Sequence, residues 1–119
     1  SQVAIGFSSL KGGEFLNYEV KKYVETSNWF IQSDYHFGGY AKVSQELVTF
    51  MNKFKSDFSI QLEPVYTAKM FYGIFDMIEN NNFPPNSTIL AVHTGGLQGI
   101  EGMSISEIII STLRWFSLF

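Results

Sequence analysis

Ser87–Gly96, STILAVHTGG, is the stretch on which the fold turns. Thr88, Ile89, Leu90, Ala91 and Val92 form a β-branched apolar run with no alternating polar face, the pattern of a parallel strand covered on both sides by helices. His93, Thr94, Gly95 and Gly96 then fall at its carboxyl end, the side of an open α/β sheet on which ligands bind. The two glycines let a ligand approach the backbone closely, and the Thr94 hydroxyl can donate or accept a hydrogen bond. Taken alone, HTGG fits an ordinary strand closed by a glycine turn better, because position in a fold is not itself a function.

Upstream, Asn80–Pro85 turns the chain into that strand. Pro64 excludes helix immediately before it, and Val65–Ile78 predicts a helix with Met70, Phe71, Ile74, Phe75 and Ile78 inward. Tyr66 and Thr67 lie in its first turn, where unpaired N–H groups and partial positive charge suit hydroxyls that meet a ligand's anionic edge. Ser44 caps another helix, with Glu46 in its first turn and a core stripe of Leu47, Met51, Phe54 and Phe58. Between the two halves, Ser33–Val43 is an aromatic, glycine-rich loop of the kind that carries sites. Composition alone assigns its Tyr35, Phe37 and Tyr40 to packing over the sheet edge. His36 has no second ligand at metal spacing, so no metal site is predicted, and Asp34 is read as its local turn contact. At the start of the chain Val3–Phe7 and Trp29–Gln32 read as strands. They flank a helix from Glu14 whose face is Leu16, Val20, Tyr23 and Val24, which makes a right-handed βαβ unit.

A chain of 119 residues has room for one domain. With 45% hydrophobic residues, 17% aromatics and 12 Phe, it is too apolar for disorder, and part of its apolar surface should lie against something else. A net charge of -3 without a dense basic cluster argues against a nucleic-acid partner. The absence of cysteine rules out disulfides and thiolate chemistry and fits a cytoplasmic setting. SQVAIGFSSL lacks the features of a signal peptide, and its opening on a strand without Met is the expectation for a fragment. The end, SISEIIISTLRWFSLF, is too short and too interrupted by polar residues to span a membrane.

The run EPVYTAKMFYGIFDMIENNNFPPNSTILAVHTGGLQG, with DYHFGGYAKV and LKGGEFL before it, resembles the C-terminal part of the pyridoxal-phosphate enzymes of the 1-aminocyclopropane-1-carboxylate deaminase and D-cysteine desulfhydrase family. The likeness extends from Val3 to Gly99, and PVYTAK and HTGG at their mutual spacing are its specific motifs. It implies an α/β fold of the tryptophan synthase β type, with a three-layer parallel sheet flanked by helices. Residues 1–102 would be the C-terminal part of the pyridoxal 5'-phosphate-binding domain. Residues 103–119 would be a tail foreign to the family, of frameshifted or artificial origin, or else a packed terminal helix.

The same resemblance implies roles for particular residues. Thr94 would hydrogen-bond the cofactor's pyridine nitrogen, Gly95 would sit beside the ring, and Tyr66 and Tyr40 would approach the substrate. Thr67 stands where the deaminases proper carry a glutamate. A carboxylate at the ring nitrogen favours a protonated ring and a strong electron sink, whereas a hydroxyl favours a neutral ring and a milder one. Expelling a thiol needs less electron withdrawal than opening a cyclopropane. The expected activity is therefore that of a D-cysteine desulfhydrase, with 1-aminocyclopropane-1-carboxylate deaminase or a non-catalytic α/β domain as alternatives. The Schiff-base lysine and the phosphate-cradling loop of the family match nothing in this chain, so the N-terminal half of the enzyme is an expected partner. A small amino acid is the expected substrate, and a homodimer the expected assembly of the whole enzyme.

Overall fold

The βαβ unit forms as β1 (Ala4–Phe7), α1 (Phe15–Lys21) and β2 (Trp29–Gln32), with the strands parallel from Ala4↔Trp29 to Phe7↔Gln32. The structure is a computed structural model that describes residues 2–96 and 108–114. Backbone bonds from Ala4 N–H to Asn28 O and from Ser8 N–H to Gln32 O, both 2.9 Å, extend the ladder at each end. The inward face expected for α1 is only partly formed. A tight bond from Tyr23 N–H to Val20 O closes the helix, so Tyr23 and Val24 lie beyond it, and Tyr23 is 86% exposed. No residue of α1 is fully buried.

α2 (Gln45–Phe58) begins where the Ser44 hydroxyl accepts the Leu47 N–H at 3.2 Å, satisfying one of the orphan donors of the first turn. It ends at Ser59, whose left-handed backbone (φ 57°) lets its N–H reach Lys55 O. Leu47 and Phe54 are buried, Met51 is half-buried, and Phe58 stays exposed at the end of the stripe while its ring packs 4.7 Å from that of Phe54. α3 (Thr67–Glu79) is the centre of the core, burying Ala68, Phe71, Ile74, Met77 and Ile78. The two helices meet through aromatic rings: Phe54 lies 4.9 Å from Phe71, and Phe50 stands edge-on to Phe75 at 5.6 Å. On its other side α3 passes β1 at Gly73, where a Cβ would fall 2.7 Å from Phe7 Cε1 and 2.9 Å from Tyr35 Cδ2. No helix among the described residues is long and apolar enough to cross a membrane.

β3 (Thr88–His93) departs from the expectation of a parallel strand covered on both faces. It pairs antiparallel with β4 (Ile108–Arg114), with an irregularity between Ile89 and Ala91, and it is not hydrogen-bonded to β1 or β2. The parallel order expected throughout the sheet thus holds for the first pair alone, and the described residues form an α/β arrangement of two separate two-stranded sheets. Ala91 and His93 face the core, with Ile89 half-buried, whereas Leu90 is 59% exposed. Successive side chains of a strand point to opposite faces, and the described elements cover only one of them. β4 also replaces the terminal helix that was one reading of the tail. The boundary expected between residues 102 and 103 falls within 97–107, and the end of the tail within 115–119; both lie outside the described residues.

Candidate active site

The start of α3 is organised by Glu63, a residue 3% exposed in the segment between α2 and α3. One carboxylate oxygen accepts the N–H groups of Tyr66 and Thr67, each at 2.5 Å, and the other accepts that of Val65 at 2.7 Å. Thr67 answers with its own side chain: Oγ1 accepts the Glu63 N–H at 3.0 Å. The pair is a reciprocal cap, each side chain satisfying the other's backbone donor, and it places a negative charge at the positive end of the helix. This corrects the expectation that the helix start is open to an anionic ligand, because Glu63 already occupies its free N–H groups. Thr67 is 2% exposed, with its hydroxyl turned inward to Glu63. Tyr66, one residue earlier, projects outward and is 51% exposed.

The strand end reaches the same carboxylate from the other side. His93 is fully buried, its Nδ1 accepting the Gly95 N–H at 2.9 Å and its Nε2 lying 2.9 Å from Gln61 O. Since Nδ1 is an acceptor, the proton sits on Nε2 and is donated to Gln61 O. The ring thereby ties the HTGG turn to the segment that carries Glu63. Gly95 and Gly96 take φ of 89° and 84°, the left-handed region that favours glycine, and a Cβ on Gly96 would stand 3.2 Å from Glu63 Cγ. Gly95 is buried against this framework, whereas Thr94 is exposed and its hydroxyl makes no hydrogen bond among the described residues.

The loop Ser33–Val43 closes over α3. Tyr35 and Phe37 pack as composition suggested: Tyr35 donates to Asp76 Oδ2 at 2.8 Å, and Phe37 stands edge-on to Tyr72 at 4.9 Å. Burial, followed by the bond to Asp76, drives the Tyr35 phenol well above the usual tyrosine range. Tyr40 does not pack in the same way. It is 55% exposed, and its hydroxyl lies 3.0 Å from that of Tyr66, with the two rings 6.0 Å apart and steeply inclined. That hydrogen bond, with some desolvation, raises the Tyr66 phenol above its ordinary value. The expected Asp34–His36 contact is replaced: His36 Nδ1 accepts the Gly38 N–H at 2.9 Å, and the Asp34 N–H donates to Gln32 Oε1. No group of three or more acidic, histidine or cysteine side chains stands at metal-binding geometry among the described residues.

No family model matches the chain. Among curated proteins it is 31% identical over 106 residues to a Pyrococcus furiosus protein named "putative 1-aminocyclopropane-1-carboxylate deaminase", a match that takes in 81% of this chain and 32% of that one. A Pyrococcus horikoshii protein of the same name is 39% identical over 66 residues, covering 56% of this chain and 20% of its own. The chain belongs to this family. A Ralstonia pickettii protein named 1-aminocyclopropane-1-carboxylate deaminase, without qualification, is 38% identical over 42 residues, or 35% of this chain and 12% of the relative. The chain spans between a fifth and a third of the length of the first relatives it matches.

In this member of the 1-aminocyclopropane-1-carboxylate deaminase family, the structure therefore brings Tyr40 to Tyr66 and the HTGG turn to Glu63, and it places Thr94 outward and Thr67 inward. Three residues of the framework were missed in the sequence: Glu63, His93 in its bridging role, and Lys69, which is 1% exposed within α3. A signal for the first and last was present. A single glutamate before Pro64 and a single lysine inside the apolar run TAKMFYGIF are charges where the pattern calls for burial, and a buried charge requires partners.

Proposed function

We propose that the chain is the part of a pyridoxal 5'-phosphate-dependent lyase that supplies the substrate-facing phenols and one wall of the cofactor site. The observation that carries this reading is the Tyr40–Tyr66 pair: two exposed phenols 26 residues apart in sequence, held within hydrogen-bond distance of one another at 3.0 Å. In such a pair one hydroxyl proton is engaged between the oxygens, and the other remains available to a substrate atom. The raised affinity of Tyr66 for its proton keeps it a phenol at neutral pH, able to hold an amino-acid carboxylate or to deliver a proton at the reacting carbon.

The residues at the strand end fit the cofactor. Thr94 offers to a ring nitrogen a hydroxyl that has no hydrogen-bond partner among the described residues, and Gly95 and Gly96 leave the adjoining backbone without side chains. When bound, pyridoxal phosphate supplies the electron sink that lets bonds to the substrate's α- and β-carbons break. Among the described residues, the carboxylate that meets the turn is that of Glu63, and both its oxygens are committed to backbone N–H groups, so what these residues offer at the strand end is a neutral hydroxyl. That favours the milder sink and supports conversion of D-cysteine and water to pyruvate, ammonia and hydrogen sulfide. The relatives' names favour the second reading, in which 1-aminocyclopropane-1-carboxylate and water give 2-oxobutanoate and ammonia.

The Schiff-base lysine and the phosphate loop would come from the remainder of the polypeptide. Assaying the full-length protein for pyruvate from D-cysteine and for 2-oxobutanoate from the cyclopropane amino acid, side by side, tests the assignment. D-cysteine is expected to be the faster substrate by about tenfold or more, and Tyr66→Phe is expected to lower its turnover by about a hundredfold. Faster release of 2-oxobutanoate would establish the second reading instead. Full activity of Tyr66→Phe on both substrates would remove the phenol from the chemistry.

A further inference from the structure

Lys69 is the most deeply buried charged group of the described residues, and its hydrogen bonds go neither to the phenol pair nor to the HTGG turn. Its Nζ donates to His36 O at 2.8 Å and to Gly39 O at 3.0 Å. Those carbonyls also close the loop on itself, His36 O accepting the Gly39 N–H at 3.2 Å and Gly39 O accepting the Lys42 N–H at 3.1 Å. The backbone between and beyond them is unusual: Phe37, Gly38, Gly39 and Ala41 have φ of 54°, 98°, 135° and 58°. For Phe37 and Ala41 this left-handed region is disfavoured, and such conformations persist only where the surroundings over-determine them. Tyr40 follows directly on Gly39, and Tyr66, at the cap position of α3, stands three residues before Lys69.

We propose that Lys69 is a positioning residue, a buried ammonium clamp that fixes the His36–Ala41 loop so that the Tyr40 phenol stands against that of Tyr66 and faces the amino-acid substrate. The proposal rests on the reading of the phenol pair given above. A lysine suits the task because its compact ammonium, on a flexible stem, can serve two carbonyls at once from inside a helix. Burial lowers its affinity for a proton and the charge of Glu63 opposes that, while two accepting carbonyls favour the charged form. Both carbonyls keep a backbone donor of their own, so removing the ammonium frees the loop without orphaning either oxygen.

The test uses the full-length protein with pyridoxal phosphate. In Lys69→Met, amide hydrogen exchange in peptides covering residues 36–42 should accelerate by about tenfold or more while α2 and the rest of α3 keep their protection. The high-titrating phenol that Tyr66→Phe removes from the alkaline absorbance titration should disappear as well. Turnover should fall by about a hundredfold, the scale expected when a reacting group is displaced by an ångström. Unchanged loop exchange and an unchanged phenol titration would overturn the clamp. If Tyr40→Phe and Tyr66→Phe leave turnover intact while Lys69→Met still frees the loop, the substrate-facing role of the phenols fails and the clamp stands. Should the methionine variant not fold, amine acylation of the unsubstituted protein decides: Lys69 should react far more slowly than the exposed Lys11 and Lys42. Equal reactivity would overturn the proposal, as would attachment of the cofactor to Lys69 on borohydride reduction.

Discussion

Glu63→Ala should be among the most destabilising single substitutions in this chain. Its carboxylate accepts three backbone donors, from Val65, Tyr66 and Thr67, and the residue is 3% exposed. A hydrogen bond to a charged group contributes about 1.5–3 kcal/mol net. The three share one carboxylate, so their losses do not add in full, and water can reach the backbone beside the exposed Tyr66. A loss of about 3–5 kcal/mol is expected, against a total stability of roughly 5–15 kcal/mol for a domain. Glu63→Gln retains one acceptor oxygen but turns an amide –NH2 towards one of the backbone donors, and should cost about half as much. Urea unfolding of the full-length protein and both variants, read from the midpoint at constant slope, measures these differences. A loss below about 1 kcal/mol for the alanine variant, or a larger loss for the glutamine variant, would refute the view that this carboxylate holds the helix start.

Two further outcomes follow from the packing and the phenols. Gly73→Ala would ordinarily stabilise a helix by about 1 kcal/mol, but the added methyl would land 2.7 Å from Phe7 Cε1 and 2.9 Å from Tyr35 Cδ2; overpacking of about 1–3 kcal/mol should reverse the sign, and a raised melting temperature in calorimetry would show that the rings yield freely. The Tyr72 phenol is pushed from 10.0 up to about 12, chiefly by its hydrogen bond to Glu46; between those values the folded chain keeps a proton that the unfolded chain has lost, so this contribution to stability is complete below pH 10 and declines as pH rises towards 12. Glu46→Gln should return the Tyr72 absorbance titration towards the ordinary tyrosine value, and an unshifted titration would exclude the bond as the cause.

How far the fold could be read from the chain depended on whether a local rule and its tertiary setting agreed. Ser44 and the stripe behind it specify α2 because a cap and a 3.6-residue period are properties of adjacent residues, and the structure begins that helix at Gln45. The βαβ unit was legible for the same reason. The face of α1 was not, since Tyr23 and Val24 continue the apolar spacing after the helix has ended. β3 failed differently. An apolar run without alternation states that both faces can be buried, not which neighbour covers them, and here Leu90 and Val92 lie on the face that no described element covers. The matched segments make up only a fifth to a third of those relatives, and a strand patterned for burial on both faces suits a larger assembly of elements than the described residues provide.

The site divides along a similar line. Motif resemblance could assign Tyr40, Tyr66, Thr67, Thr94 and Gly95 to one expected site, but it could not say which hydroxyls look outward, because that is decided by groups outside the motifs. Thr67 shows how. Its Oγ1 accepts the Glu63 N–H while its own N–H goes to the Glu63 carboxylate. A small neutral side chain completes that cap from inside a site 2% exposed, whereas a carboxylate at the same position would bring a second negative charge against the first, at a burial where two like charges cannot both be sustained. The residue at 67 is therefore coupled to the residue at 63 as much as to any ligand. A threonine there has a structural reason to be neutral that is independent of the chemistry, and in the proposed site the neutral hydroxyl left to meet a cofactor is that of Thr94, the exposed one.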